Sequence, residues 1–138
     1  MGTDSFSRPD LEWPTLIPFW EACRNEELRF PRCKKCGGWQ WYPTLICPEC
    51  EGEFEWAEVV PKGKLFSWTV VHKAFFPEFK EKIPFIVGCI DVEEAPGVRF
   101  IANIIDCEPE DLCIGLEMDV VFDHIDEKLC KPQFKIHK

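Results

Sequence analysis

The chain has 138 residues, of which 14% are aromatic, and a formal net charge of −9 at pH 7. This length suits one domain, or two small domains that share a core. The acidic balance argues against nucleic acid as the partner, because binding phosphates requires a basic surface. The sequence contains no stretch of about 18 apolar residues that could span a membrane, and residues 1–10 lack the basic and apolar runs of a signal peptide.

The leading segment, residues 1–30, is expected to end in an amphipathic helix over about residues 18–28. Pro18 suits the first turn of a helix, where its missing amide hydrogen costs nothing. The apolar residues recur at near-helical spacing: Phe19, Trp20, Cys23 and Leu28. Such a short helix is unstable alone in water. Its apolar face, with Phe19 and Trp20, must therefore pack on the rest of the chain or on another protein.

Two Cys-x-x-Cys pairs, separated by ten residues, dominate the next segment, residues 31–58. Two such turns supply the four sulfur ligands of a closed tetrahedral zinc site. The predicted ligands of one structural Zn²⁺ are Cys33, Cys36, Cys47 and Cys50. A rubredoxin-like iron site would use the same turns, and two disulfides or four buried thiols are further alternatives. A closed four-thiolate site has no open coordination position, so it would stabilise the fold and do no chemistry.

Nine cysteines are present, and the four assigned to metal leave five. Spare thiols of this kind fit a reducing cytoplasm better than a secreted disulfide framework. We therefore expect a cytoplasmic protein.

The residues between the two cysteine pairs alternate as a strand does over residues 39–42, with Trp39 and Trp41 on one face. A hairpin this small cannot bury two indoles, so we expect them to cover the metal site or contact a neighbour. A further strand is predicted over residues 51–58, where Phe54 and Trp56 are two positions apart.

Residues 59–138 read as a third unit made almost entirely of strands. Five apolar or β-branched runs are predicted strands, over residues 65–76, 85–92, 98–105, 118–125 and 134–136. A short helical turn over residues 109–113 separates the third strand from the fourth. Five strands with this interruption suit a small closed Greek-key barrel. The predicted fold is mainly β: an N-terminal helix, a rubredoxin-like zinc ribbon and a five-stranded OB-fold barrel.

No catalytic set is recognisable in the sequence. His72 stands among apolar residues of a predicted strand, and neither His124 nor His137 lies in a known motif. Cys89 is a strand cysteine without an adjacent histidine, and such thiols are normally inert. We therefore predict a chain that is not an enzyme on its own and has no catalytic residues. A rubredoxin-like electron carrier and a nucleic-acid-binding OB module remain alternatives.

Several short stretches, in this order, are shared with a known family. They are Pro18-Phe19-Trp20, the cysteine pairs with Gly37, Pro43 and Pro48, then Trp56, the strand start at residues 63–71, Pro84, and residues 109–115. Over about residues 15–128 the chain resembles the acyl-CoA-associated zinc-ribbon and OB-fold proteins, long catalogued as a domain of unknown function. Two positions depart from the family, which often has glycine where Glu26 or Glu27 stands and where Glu51 stands.

The resemblance implies a small non-catalytic subunit of an acyl-CoA acyltransferase (thiolase) complex. Its partner would be a large thiolase-like catalytic subunit, and CoA or acyl-CoA would be a ligand shared between the two. Some family members pair instead with hydratases or retro-aldolases of steroid side-chain breakdown.

The segment over residues 72–84 is expected to link the first two barrel strands, and this loop commonly lines the ligand face of OB folds. We expect its aromatic residues to dock on the partner: Phe75, Phe76 and Phe79. Its basic residues would then lie near the CoA phosphates: Lys73, Lys80 and Lys82. Alternatively, the loop folds back over the barrel mouth and buries its own aromatic rings.

Overall fold

The structure, a computed structural model, describes residues 8–138, so residues 1–7 of the predicted leading segment lie outside it. One helix, α1 (Ile17–Arg24), follows a 3-10 turn at Pro14–Leu16. The strands are β1 (Leu28–Cys33), β2 (Phe54–Val59), β3 (Lys62–Val71), β4 (Phe85–Val92), β5 (Arg99–Ile104), β6 (Glu117–His124) and β7 (Cys130–Ile136). This arrangement confirms the mainly β fold with its short N-terminal helix. None of the described helices combines the length and apolarity needed to cross a membrane.

The strands form a small antiparallel ribbon and a closed barrel. Strands β1 and β2 pair along their whole length, while the barrel has the order β3-β4-β5-β7-β6 and closes between β3 and β6. The joint between β5 and β7 is parallel and rests on a single register pair, Ile104 with Phe134. Gly88 on β4 faces this joint, because a Cβ atom there would lie 2.5 Å from Ile104 Cδ1. The five-stranded OB-fold prediction is thereby confirmed.

One aromatic cluster joins the helix, the ribbon and the barrel. The Trp41 ring lies 5.2 Å from Phe19 of α1 and 5.1 Å from Phe30 of β1, measured between ring centroids. Phe100 of β5 lies 5.5 Å from Phe30 and 5.8 Å from Phe134 of β7. The ribbon and the barrel therefore share a core.

Several predicted element bounds are wrong, among them the last strand, which begins at Cys130 and not at residue 134. Three of the differences have a local cause. The helix ends at Arg24 rather than near residue 28, because Glu26 takes a positive φ of 59°. Residues 39–42 form no strand: only Trp39 makes an isolated bridge, to Arg32, and Trp41 turns into the core. The first barrel strand ends at Val71, opposite Phe85 at the start of β4, so residues 72–76 have no pairing partner.

Candidate metal centre and interaction surface

The four predicted metal ligands converge on one point. Their sulfur atoms all lie within 4.8 Å of one another, with 3.4 Å between Cys33 and Cys50 and 3.8 Å between Cys36 and Cys47. Zn–S bonds of about 2.3 Å in a tetrahedron place sulfurs about 3.8 Å apart. The donor set and its spacing therefore fit a zinc ion.

Backbone amides donate hydrogen bonds to two of the cysteine sulfurs. The amides of Lys35 and Cys36 each donate a hydrogen bond to Cys33 Sγ, at 3.4 Å. The bond from Cys36, supported by the one from Lys35, lowers the pKa of Cys33 to about 6. A third amide, that of Gly38, donates to Cys36 Sγ at 3.4 Å. These bonds favour the thiolate form, which is the form that binds metal.

The two cysteine turns have matching backbones. The residue after each pair has a positive φ, 76° at Gly37 and 63° at Glu51. The backbone amide of each donates a hydrogen bond to the carbonyl oxygen of the first cysteine of its pair. Gly52 then passes so close to the site that a Cβ atom there would lie 2.8 Å from Cys33 Sγ. The chain is therefore wrapped tightly around the sulfur cluster. Four protein ligands complete the zinc tetrahedron, which is the arrangement of a structural site.

The predicted interface residues of the helix and the hairpin lie in different environments. Phe19 is only 4% exposed and belongs to the core. Trp20 stands edge-on to Phe19, with 5.0 Å between ring centroids, and is half-buried, as is Trp41. Trp39, also half-buried, lies under the Arg32 guanidinium at 5.4 Å. These residues form part of the shared core rather than one exposed aromatic patch.

The loop over residues 72–84 carries the most exposed of the predicted aromatic side chains. Phe75 is 74% exposed and Phe76 is 43% exposed. Phe79 is half-buried, with its ring centroid 6.0 Å from that of Phe85. The loop thus covers part of the barrel with Phe79 and presents Phe75 to solvent.

The three predicted CoA-binding lysines are exposed on this loop. Lys73 Nζ lies 5.3 Å from the centre of the Phe75 ring, and Lys82 Nζ lies 5.7 Å from that of Phe79. Lys82 and Phe79 also line a cavity of about 320 Å³ between this loop, β5 and β7. The structure therefore brings Lys82 to a concave surface, whereas Lys73 accompanies the exposed Phe75.

Four of the five thiols outside the metal centre are not poised as nucleophiles, while the fifth, Cys113, is exposed. Burial raises the pKa of Cys23 to about 12 and also raises the pKa values of Cys89, Cys107 and Cys130. The histidine rings that make hydrogen bonds do so with carboxylates: His124 with Glu26 at 2.8 Å and His137 with Asp119 at 3.0 Å. Within residues 8–138, no hydrogen bond joins a cysteine to a histidine.

One feature was missed by sequence reasoning, a cavity of about 360 Å³ where α1, the ribbon and strands β5 and β7 meet. Its walls come from residues far apart in the chain, such as Trp20, Tyr42, Phe100 and Lys131. The aromatic pair at Trp41 and Tyr42 was the only local signal, and it does not identify the strands that complete the wall.

Two family models match the chain. The model described as the ChsH2 rubredoxin-like zinc ribbon domain covers residues 20–57, and that of the ChsH2 C-terminal OB-fold domain covers residues 56–123. Together they contain both cysteine pairs and the barrel strands β3 to β5, with most of β6.

Curated relatives and a solved structure extend the comparison. A DUF35 domain-containing scaffold protein of Methanocaldococcus jannaschii is 39% identical over 98 residues, which is 70% of this chain and 67% of the relative. The benzoylsuccinyl-CoA thiolase subunit BbsA of Thauera aromatica is 33% identical over 100 residues, covering 70% and 66%. The Ltp2-ChsH2(DUF35) aldolase structure superposes with a TM-score of 0.82 at 24% identity, over 94% of this chain and 98% of that one. This last similarity supports the fold.

Proposed function

Since the chain belongs to the DUF35 family of scaffold proteins, we propose that it is a non-catalytic subunit of an acyl-CoA enzyme complex. It binds a large thiolase-like catalytic subunit and helps to form that enzyme's acyl-CoA or CoA site. The similarity to a benzoylsuccinyl-CoA thiolase subunit supports a thiolase as the partner. The process served is a β-oxidation-like degradation of an aromatic or other acyl-CoA, in the cytoplasm.

The observation that carries this proposal is the aromatic loop over residues 72–84. Loops that expose large apolar side chains mark interaction sites, because solvent contact with such rings is unfavourable. Phe75 is the most exposed aromatic residue of this loop, and aromatic anchors provide much of the binding energy at protein interfaces. We assign this loop as the contact with the catalytic subunit.

The same loop carries three lysines against two glutamates, Glu78 and Glu81, on an otherwise acidic chain. Lys73, Lys80 and Lys82 are exposed beside the aromatic rings, and lysine ammonium groups bind phosphates as point charges. A partner docked on Phe75 would thus have these lysines at the edge of the interface. There they can contact the phosphates of a CoA bound between the two subunits.

Co-purification of the zinc-loaded chain with its catalytic partner tests the docking surface. Replacing Phe75 and Phe76 by Ala should weaken assembly at least about tenfold, while the metal content and the barrel remain intact. The matched control is Ile114→Ala, because Ile114 is 76% exposed and lies outside the loop. Equal assembly of both variants would contradict the proposal, and the contact would then be sought around Trp20 and Trp39. The identity of the catalytic subunit recovered distinguishes a thiolase from a hydratase or retro-aldolase.

Charge reversal tests the CoA contact separately. Changing Lys80 and Lys82 to Glu should raise the KM for the acyl-CoA substrate in the assembled complex more than it impairs assembly. The control replaces two exposed lysines outside the loop, Lys64 and Lys138, by Glu, which changes the net charge equally. If both pairs of substitutions raise KM to the same extent, the loop lysines have no specific role.

A further inference from the structure

The cavity between α1, the ribbon and the barrel has the properties of a small-molecule site. Its volume of about 360 Å³ falls within the usual range for ligand pockets, roughly 300–1,000 Å³. Its walls are mainly apolar and include the rings of Phe19, Trp41, Tyr42 and Phe100. Walls of this kind accept an aromatic ring or a branched apolar chain.

One hydrogen-bond donor in this wall lacks an acceptor. Trp20 lines the cavity, and its indole Nε1 is buried without a hydrogen-bond partner in the described chain. Most buried polar groups are paired, because leaving a donor unpaired after its water is removed is costly. The unpaired indole indicates that an acceptor atom binds here in another state of the protein.

A cation lies in the same wall. Lys131 of β7 is half-buried and lines both this cavity and the neighbouring one beside Lys82. Asp123 is its register partner across β6 and β7, yet Lys131 makes no ion pair with any residue that the structure describes. An indole donor and an ammonium group in one apolar cavity together favour a ligand acceptor that is negatively charged.

We propose that this cavity binds a small carboxylate that carries an aromatic ring or a branched apolar chain. The apolar part lies against the wall that Trp41 and Phe100 form together, since these two rings contact each other. The carboxylate accepts hydrogen bonds from Lys131 Nζ and, after a small rotation of the indole that turns its buried Nε1 toward the cavity, from Trp20. This binding requires no partner subunit, so it goes beyond the proposed function and can fail independently of it.

The test uses the full, zinc-loaded chain labelled with ¹⁵N, with benzoate as the probe. The indole resonance of Trp20 is assigned by its loss in Trp20→Phe. Titration with benzoate should shift this resonance saturably, whereas benzyl alcohol, which has the ring without the charge, should bind at least about tenfold more weakly.

Two substitutions of opposite sign test the role of charge. Lys131→Gln should weaken benzoate binding about tenfold, while Asp123→Asn should strengthen it by removing a nearby negative charge. The matched control is Lys128→Gln, because Lys128 is exposed in the adjacent turn and should leave affinity unchanged.

Three results would overturn the proposal. They are the absence of a saturable Trp20 shift, equal affinity for benzoate and benzyl alcohol, and equal effects of the Lys131 and Lys128 substitutions. A Trp20 shift produced by the catalytic subunit but not by benzoate would also overturn it and would identify the cavity as part of the protein interface.

Discussion

At the scale of single residues, two glutamates that lie near chain turns have an unusual backbone conformation. Glu26 has a φ of 59° and Glu51 a φ of 63°, in the left-handed region that side chains disfavour. Glu26 lies two residues after the end of α1, and its carboxylate is hydrogen-bonded to His124 Nε2 at 2.8 Å, so it links the end of the helix to β6. Glu51 is exposed and occupies, after the second cysteine pair, the position that Gly37 occupies after the first. Its conformation is set by the metal turn rather than by its own preference.

Glu51→Gly is therefore expected to stabilise the zinc-loaded chain. Removing the side chain relieves a left-handed penalty of roughly 1–2 kcal/mol, against an entropic cost for glycine of roughly 0.5–1 kcal/mol. The free energy of unfolding, measured in denaturant, should rise by about 0.5–1 kcal/mol. Glu49→Gly is the control, since Glu49 lies in the same turn without a positive φ. Equal destabilisation by both changes would show that Glu51 is not strained.

Glycine at position 52 is expected to be required for tight metal binding. A Cβ atom there would lie 2.8 Å from Cys33 Sγ and from Lys35 Cβ, so Gly52→Ala must displace a ligand. Overpacking of this kind costs roughly 1–3 kcal/mol, so zinc affinity in competition with a chelator should fall about tenfold or more. Gly38→Ala should have a smaller effect, because its Cβ would lie 3.4 Å from Cys36 Sγ. Equal zinc affinities for the two variants would contradict this prediction.

At the scale of the elements, the sequence predicted a structural element correctly where a single local residue pattern was sufficient to define that element. The cysteine spacing predicted the ligand cluster, and the β-branched run over residues 85–92 predicted β4 with its observed bounds. The alternation at residues 39–42 was misleading, because Trp41 packs on Phe19, Phe30 and Phe100 instead of joining a sheet. The cavity beside Trp20 could not be predicted, since it depends on how distant segments pack.

The aromatic cluster also couples the stability of the ribbon to that of the barrel. Phe100 is buried on β5 and contacts rings from α1, the ribbon and β7. Phe100→Ala should lower the free energy of unfolding by about 3–5 kcal/mol and weaken the ribbon and the barrel together. The adjacent Ile101→Ala is the control, because Ile101 is 64% exposed and should cost less than about 1 kcal/mol. Amide hydrogen exchange can follow the ribbon and the barrel separately. A loss of protection from exchange that is confined to β5 would contradict a shared core.

At the scale of the whole molecule, the metal centre and the barrel are connected through one short strand. β1 ends at Cys33, a predicted metal ligand, and contributes Phe30 to the barrel core. Its ladder with β2 leads directly into β3. A change at the metal centre should therefore alter the stability of the barrel, although a metal there would contact no barrel residue directly.

Loss of the metal is the strongest test of this connection. Elemental analysis should find about one Zn²⁺ per chain, and Cys36→Ser should lose the metal and unfold at least residues 28–60, because metal binding and local folding are coupled. Withdrawing Phe30 and Trp41 from the shared core should also reduce hydrogen-exchange protection in β5. The control is Cys113→Ser, since Cys113 is exposed and outside the sulfur cluster. A red iron chromophore would identify a rubredoxin-like site instead of zinc, and a metal-free chain with an intact ribbon would show that the ribbon folds without its metal.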